Sequence, residues 1–314
     1  LIFNEVEEPI KRNLDKENTS IYEICLPFYY NNFNRRKNIL TNKYDECNDK
    51  ARTFIPLSNW IYLKIYPILN NNEFISEVFN SIYNEVLRLT NIKNCFYIQY
   101  IDENPHIRLR IESKLNFDVE LLEYLNRVSC ELYNKKIVYK IVIDTYERES
   151  ERYGGHKLIG YFESFSSLDS KLVAEILKFV IKSDKYSIET IAILSIIDII
   201  NIFDIDYSEQ EKLFSAPVYR KYNNIYRINR KKILSLVTNR NSICKFKFYE
   251  YLEKRNDNLK NYYQKILLDG KEEKINIMLS LIHMHCNRLF GVNREKEREV
   301  LFCVRKTLQS LKYI

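Results

Sequence analysis

The chain has 314 residues, of which 46% are hydrophobic and 29% charged, with a formal net charge of +7. That length and apolar content support a full core in one large domain or two smaller ones, which argues against a disordered or fibrous protein. The moderate excess of cations permits an acidic ligand without establishing one, because the abundance of Lys, Asn, Ile and Tyr is also what an AT-rich coding sequence produces.

Residues 1–52 are rich in Asn, Lys, Glu and Arg, with one strand-like island from Ile21 to Tyr30, and read as a tail or linker. The aromatic and β-branched run Trp60-Ile61-Tyr62-Leu63-Lys64-Ile65-Tyr66 then predicts a strand. Phe74, Val78, Phe79, Ile82, Tyr83, Val86 and Leu87 recur at helical spacing and predict a helix from about Glu73 to Thr90. Two strands follow, Cys95 to Ile101 and His106 to Glu112, joined by a turn at Asp102-Glu103-Asn104-Pro105. A helix marked by Val119, Leu122, Leu125 and Val128 and a fourth strand from Ile137 to Tyr146 complete the order β-α-β-β-α-β, that of a ferredoxin-like antiparallel unit. Beyond Gly155 the period is helical, with helices expected at Leu172 to Lys182, Ile188 to Ile202, Arg230 to Leu236, Lys274 to Leu289 and Lys296 to Leu311. Strands first and helices afterwards make the fold class α+β: a four-stranded antiparallel sheet followed by a C-terminal helical layer.

The most suggestive stretch is Asn104-Pro105-His106-Ile107-Arg108-Leu109-Arg110. As a strand it turns His106, Arg108 and Arg110 to one face and Ile107 and Leu109 to the other, with the arginines about 7 Å apart at Cα. Two planar guanidiniums at that spacing can converge on one carboxylate or phosphate. The alternative is a half-buried edge strand with a solvated basic face. The fourth strand runs into Glu147-Arg148-Glu149-Ser150-Glu151-Arg152-Tyr153-Gly154-Gly155, where adjacent glycines demand a sharp turn. Such a turn would bring Glu149 and Arg152 to one side, a carboxylate and a guanidinium for a zwitterionic ligand; otherwise they form a surface pair worth under ~1 kcal/mol. Asp169-Ser170 before an apolar periodic run reads as a helix N-cap, while Glu163 either completes an acidic wall or solvates a helix.

His283 and His285 fall two apart in a predicted helix, roughly 200° around it, so they cannot share a metal; one faces inward and the other outward. The seven cysteines are scattered singly, without a C-x-x-C pair, which argues against a disulfide framework or a zinc knuckle and for a reducing cytoplasm. The most apolar segment, Ile191 to Phe203, is interrupted by Asp198 and falls short of the ~20 residues a membrane span needs. Neither a phosphate-cradling glycine loop nor a G-x-S-x-G elbow occurs. From Lys212 to Tyr249 ten Lys or Arg and no acid surround Tyr219, Tyr222, Tyr226 and Phe246, read as a solvated helical face rather than a nucleic-acid surface.

Five ordered blocks carry a resemblance: Ser58 to Tyr66, Asn104 to Arg110, Glu151 to Gly155, Asp169-Ser170, and Ile282 to Gly291 with Arg294 and Lys296 beyond it. In order and spacing they resemble the C-terminal domain of class I lantibiotic dehydratases, a domain also met in thiopeptide biosynthesis. The resemblance spans about residues 54–312, with one departure in the turn Asp102-Glu103-Asn104-Pro105. In that family a large N-terminal domain transfers glutamate from glutamyl-tRNA onto Ser and Thr of a precursor peptide, and the C-terminal domain eliminates it to leave dehydroalanine or dehydrobutyrine.

The resemblance implies an elimination domain over residues 54–314 and a linker over 1–53, whose Ile24-Cys25-Leu26-Pro27-Phe28 resembles the exit from a glutamylation domain. With Leu1 rather than Met at its start, the chain reads as a piece of something longer or a split enzyme. It implies a cytoplasmic carbon–oxygen lyase without cofactor or metal, glutamyl-tRNA being used only by the separate glutamylation half. The partners implied are a precursor peptide and a glutamylation domain or protein, with a homodimer allowed and no direct nucleic-acid contact. Arg108, Arg110, Glu149, Arg152 and His283 take the catalytic roles, and His106 and Glu163 bind substrate. Arginines suit the clamping of carboxylates and of a developing enolate, Glu149 suits an ammonium, and a histidine suits proton transfer near neutral pH. The rival readings are a pyridine synthase joining two dehydroalanines by cycloaddition and a non-catalytic peptide-binding scaffold.

Overall fold

Strand β2 (Trp60–Pro67) alternates apolar residues between two faces, and so do β3 (Ile92–Ile101) and β4 (Pro105–Ser113). With β5 (Val138–Asp144) they form one antiparallel sheet in the order β3-β4-β2-β5. A short ladder pairs β1 (Thr53–Phe54) with β6 (Tyr146–Glu147). These elements belong to a computed structural model, which describes residues 52–116, 118–183, 185–205, 209, 220–269 and 273–313; the strand-like island at Ile21 to Tyr30 lies outside the described residues.

Between the strands run α1 (Asn71–Glu73), a π-helical segment (Phe74–Phe79), α2 (Asn80–Val86) and α3 (Val119–Asn134). The helical layer comprises α4 (Ile159–Lys182), α5 (Ile188–Ile202), α6 (Arg220–Thr238), α7 (Lys247–Leu268), α8 (Lys274–Phe290) and α9 (Arg294–Leu311). The chain is thus a mixed fold, a four-stranded antiparallel sheet followed by C-terminal helices.

One sheet face sends Ile61, Leu63, Ile65, Cys95, Tyr97, Ile107, Leu109 and Ile111 into the main core. The other carries a second buried cluster of Trp60, Tyr62, Phe96 and Tyr146, with Phe54 packed against it. Strand β4 is therefore an inner strand between β3 and β2, not an edge, and Arg110 lies directly across from both Tyr62 and Phe96. The basic face of β4 looks onto aromatic rings rather than open solvent.

The outer edge of β3 is closed by side chains. Ser167 and Ser170 of α4 accept from the backbone N–H groups of Cys95 and Tyr97, each at 3.2 Å. Asn287 of α8 continues the ladder, accepting from Gln99 N at 2.9 Å and donating to Gln99 O at 2.8 Å. A helix thus occupies the place of a further strand and blunts the edge. This accounts for a correction to the sequence reading: α4 begins at Ile159, so Asp169 and Ser170 lie inside it, fully buried, and do not cap it. Ser170→Ala is expected to leave the Tyr97 N–H buried without an acceptor and to cost ~1–3 kcal/mol, read as a lower midpoint in denaturant unfolding.

Candidate functional site

A cleft of about 170 Å³ opens between the arginine face of the sheet, the turn after β6, and the junction of α8 with α9. Arg108, Arg110, Glu149, Arg152 and His283, drawn from three separate stretches of the chain, all line it.

Arg110 stands in an aromatic cage, its guanidinium carbon 4.6 Å from the Tyr146 ring, 5.3 Å from Tyr62 and 5.7 Å from Phe96. Its Nε is buried with no hydrogen-bond partner among the described residues. The rings hold the cation without consuming its N–H groups. Arg108 is held differently, stacked 3.4 Å over Tyr100, its Nε donating to His106 Nε2 at 3.2 Å. His106 Nδ1 lies 3.0 Å from the Asn104 carbonyl, which assigns the proton to Nδ1 and leaves Nε2 to accept. Burial pulls the His106 pKa down and keeps the ring neutral. Among the described residues no carboxylate forms a salt bridge with either arginine.

Beyond β6 the chain closes a 3₁₀ turn, Ser150–Tyr153, that stacks residues three apart. Arg152 accordingly donates to Glu149 at 3.1 Å, and the pair faces the cleft as the double glycine implies. Gly154 has φ +94°, and a Cβ there would meet Leu158 Cδ1 at 2.6 Å, so the turn needs glycine on both counts. Opposite the arginines, α8 sends His283 to the cleft and His285 to the core. His283 Nδ1 is 2.8 Å from Glu297 Oε1, and Arg294 bridges toward both.

Two predicted binding residues stand outside the cleft wall. His106 is fully buried with both ring nitrogens engaged, so it acts behind Arg108. Glu163 is also fully buried: Arg148 donates to it at 2.6 and 2.8 Å and the Tyr146 hydroxyl at 3.3 Å. Burial pushes the Glu163 carboxyl up to about 7, with the Arg148 fork pulling against it. Glu163 therefore props Tyr146 beneath Arg110 and does not form an acidic wall.

The sequence reading passed over Tyr146, Glu297 and the role of Arg148. Glu297 lies 14 residues from His283 on another helix, where no periodicity links them. In the basic stretch, Tyr222 and Tyr226 are buried, which removes them as a base-stacking platform. Among the described residues no helix is long and apolar enough to cross a membrane, and no three His, Cys, Asp or Glu side chains gather as a metal site.

The family model described as lantibiotic biosynthesis dehydratase C-term matches residues 60–308. The subtilin biosynthesis protein SpaB of Bacillus subtilis is 28% identical over 280 residues, which is 85% of this chain and 27% of that protein. The nisin biosynthesis protein NisB of Lactococcus lactis subsp. lactis is 26% identical over 282 residues, 84% of this chain and 27% of that one. The chain thus spans about a quarter of the length of these curated relatives. Among solved structures, the tRNA dependent lantibiotic dehydratase MibB from Microbispora sp. 107891 superposes with a TM-score of 0.70 at 19% identity, over 82% of this chain and 28% of that one. The pyridine synthase TbtD from thiomuracin biosynthesis superposes with a TM-score of 0.52 at 12% identity, over 80% of this chain and 98% of that one. At those identities the two structures speak for a shared fold alone.

Proposed function

The chain belongs to the lantibiotic biosynthesis dehydratase C-terminal family, and from that premise we propose that it eliminates glutamate from glutamylated Ser and Thr of a precursor peptide. The observation that carries this reading is the cleft in which Arg108 and Arg110, neither salt-bridged to a carboxylate among the described residues, stand with His283 and the Glu149–Arg152 pair. In the elimination the Cα proton passes to a base, its electron pair becomes the Cα=Cβ bond, and the Cβ–O bond breaks to release glutamate. Negative charge builds first on the peptide carbonyl and then on the departing carboxylate. Preorganised guanidiniums at both points lower the barrier without reorganising during the step.

Arg108 and Arg110 serve that charge, and Glu149 and Arg152 suit the ammonium and carboxylate of the glutamyl group. His283 is the proton acceptor in this reading. Transfer of glutamate from tRNA is assigned to a separate glutamylation domain or protein, and no cofactor or metal is assigned to this half. The same reading makes the sheet with its intervening helices a ferredoxin-like unit, supported by the element order and the strand order β3-β4-β2-β5.

The test is mass spectrometry on two peptides. The chain is expected to release glutamate and form the alkene from a pre-glutamylated peptide, and to leave an unmodified peptide unchanged even with glutamyl-tRNA supplied. His283→Ala is expected to slow the first reaction by ~10²–10⁴-fold, the range for a lost general base. Dehydration of the unmodified peptide would sink the division of labour. Inertness toward the glutamylated peptide would instead favour cycloaddition or a scaffold role.

A further inference from the structure

We propose that Glu297 is the positioning residue that fixes the His283 imidazole as its Nδ1–H tautomer, so that the lone pair of Nε2 is offered to the cleft; this rests on the elimination reading above. Glu297 Oε1 lies 2.8 Å from His283 Nδ1, and an ionised carboxylate can only accept there. Nδ1 must therefore carry the proton, and in the neutral ring Nε2 is then the base. Both hydrogen-bond contacts of the ring among the described residues, to Glu297 and to Arg294, fall on Nδ1, and the ring lines the cleft.

Arg294 Nη1 also lies 3.2 Å from Nδ1, and a guanidinium can only donate. If that contact ruled, Nδ1 would be the acceptor and Nε2 would carry the proton, presenting a donor to the substrate where elimination needs an acceptor. Three observations favour the carboxylate. Its contact is shorter by 0.4 Å, from 3.2 to 2.8 Å. Its side chain is 15% exposed against 62% for Arg294, so it is the better anchored of the two. Arg294 also reaches Glu297 Oε2 at 3.3 Å, which gives the guanidinium a partner of its own.

Local structure supplies the carboxylate where it is needed. Asn293 caps α9, its side chain accepting from Lys296 N at 3.0 Å, and this places Glu297 in the first helical turn. The exposed N–H groups of that turn favour a negative charge. A fixed tautomer and a nearby anion act in sequence. Before proton transfer Glu297 orients the ring, and afterwards it is the counter-ion of the imidazolium. This is the base-plus-orienter logic of catalytic constellations, reached with a glutamate from the next helix.

The experiment uses the full chain labelled with ¹⁵N-histidine, long-range ¹H–¹⁵N spectra at mildly alkaline pH, and steady-state turnover of a pre-glutamylated peptide. The wild-type protein is expected to show His283 as Nδ1–H. Glu297→Met, which keeps bulk and loses the acceptor, is expected to shift the ring toward Nε2–H and to lower kcat by ~10²-fold or more with KM within about twofold. Arg294→Met is expected to leave the tautomer unchanged. An Nε2–H ring in the wild type, a tautomer switch in Arg294→Met, or a Glu297→Met variant with unchanged tautomer and kcat would each overturn the proposal. Should Glu297→Met fail to fold, the wild-type and Arg294→Met spectra still decide it. Should the wild-type chain fail to release glutamate, the elimination reading falls, while the spectra judge the dyad on their own.

Discussion

Arg110→Lys is expected to abolish measurable glutamate release, a loss of ~10²–10³-fold or more, while the protein unfolds within a few degrees of the wild-type Tm. The aromatic cage of Tyr62, Phe96 and Tyr146 accepts either cation, so the charge stays in place and the sheet face stays packed. What lysine cannot supply is the planar fork. Arg110 has a buried Nε without a hydrogen-bond partner among the described residues, and an arginine held by ring faces keeps its N–H edge for a ligand. A lysine ammonium would form a point contact and could not bridge two oxygens of a carboxylate or an enolate and its leaving group. The measurement pairs mass spectrometry of the peptide with a thermal melt. Turnover at the wild-type rate would remove Arg110 from the mechanism; loss of both activity and fold would assign it to the core.

The arginine strand was legible because strand alternation is a property of the chain itself: Ile107 and Leu109 went to the core and Arg108 and Arg110 to the other face. Its inner position was not legible, because neighbours in a sheet are a tertiary matter, although Trp60, Tyr62 and Phe96 on the same face were a usable hint. The turn joining Glu149 to Arg152 followed from Gly154-Gly155. For the histidines, helix geometry gave opposite directions but not which one reached the cleft.

Polar residues in helices misled the reading most. Ser166, Ser167, Asp169 and Ser170 look like loop and cap residues, and they moved the expected start of α4 from Ile159 to Leu172. Ser167 and Ser170 are tolerated inside the helix because they satisfy the β3 edge, and Asp169 because it sits in a buried charge cluster. Helix α7 was missed altogether, although Phe248, Leu252, Leu259, Tyr262 and Ile266 form a buried stripe; Arg255 within that stripe and the surrounding Lys and Asn hid it. Helix α6 likewise starts at Arg220 rather than Arg230.

Asp169→Ala is expected to destabilise the protein by ~3–5 kcal/mol, enough to unfold much of it in ordinary buffer. Asp169, His285, Arg288 and Arg255 are all fully buried. The carboxylate lies 2.8 Å from His285 Nδ1, 2.9 Å from Arg288 and 3.6 Å from Arg255. Burial alone would raise the Asp169 carboxyl, but His285 and the two guanidiniums outweigh it and hold the group well below the usual carboxylate range. Burial holds the His285 pKa down as well.

Both depressed values give stability that is present above the unfolded-state pKa and lost as pH falls through the folded one. His285 accordingly starts to withdraw stability below about pH 6.5 and Asp169 below about pH 3.9. In Asp169→Ala two arginines remain in the core and lose the carboxylate that lies against both of them, and the part of the acid slope below about pH 3.9 that Asp169 supplied should disappear. The cluster also bears on the site. Arg288 donates to Tyr97 O at 3.1 Å, so the same contacts that neutralise Asp169 fasten α8 to β3 and hold His283 across the cleft from the arginines. Asp169→Asn, which keeps the shape and loses the charge, separates the two effects: it should retain most of the packing and still forfeit the ion-pair stability. Denaturant unfolding at several pH values reads both variants. A midpoint for Asp169→Ala close to wild type would mean that the buried guanidiniums find other acceptors, and would detach this cluster from the placing of His283.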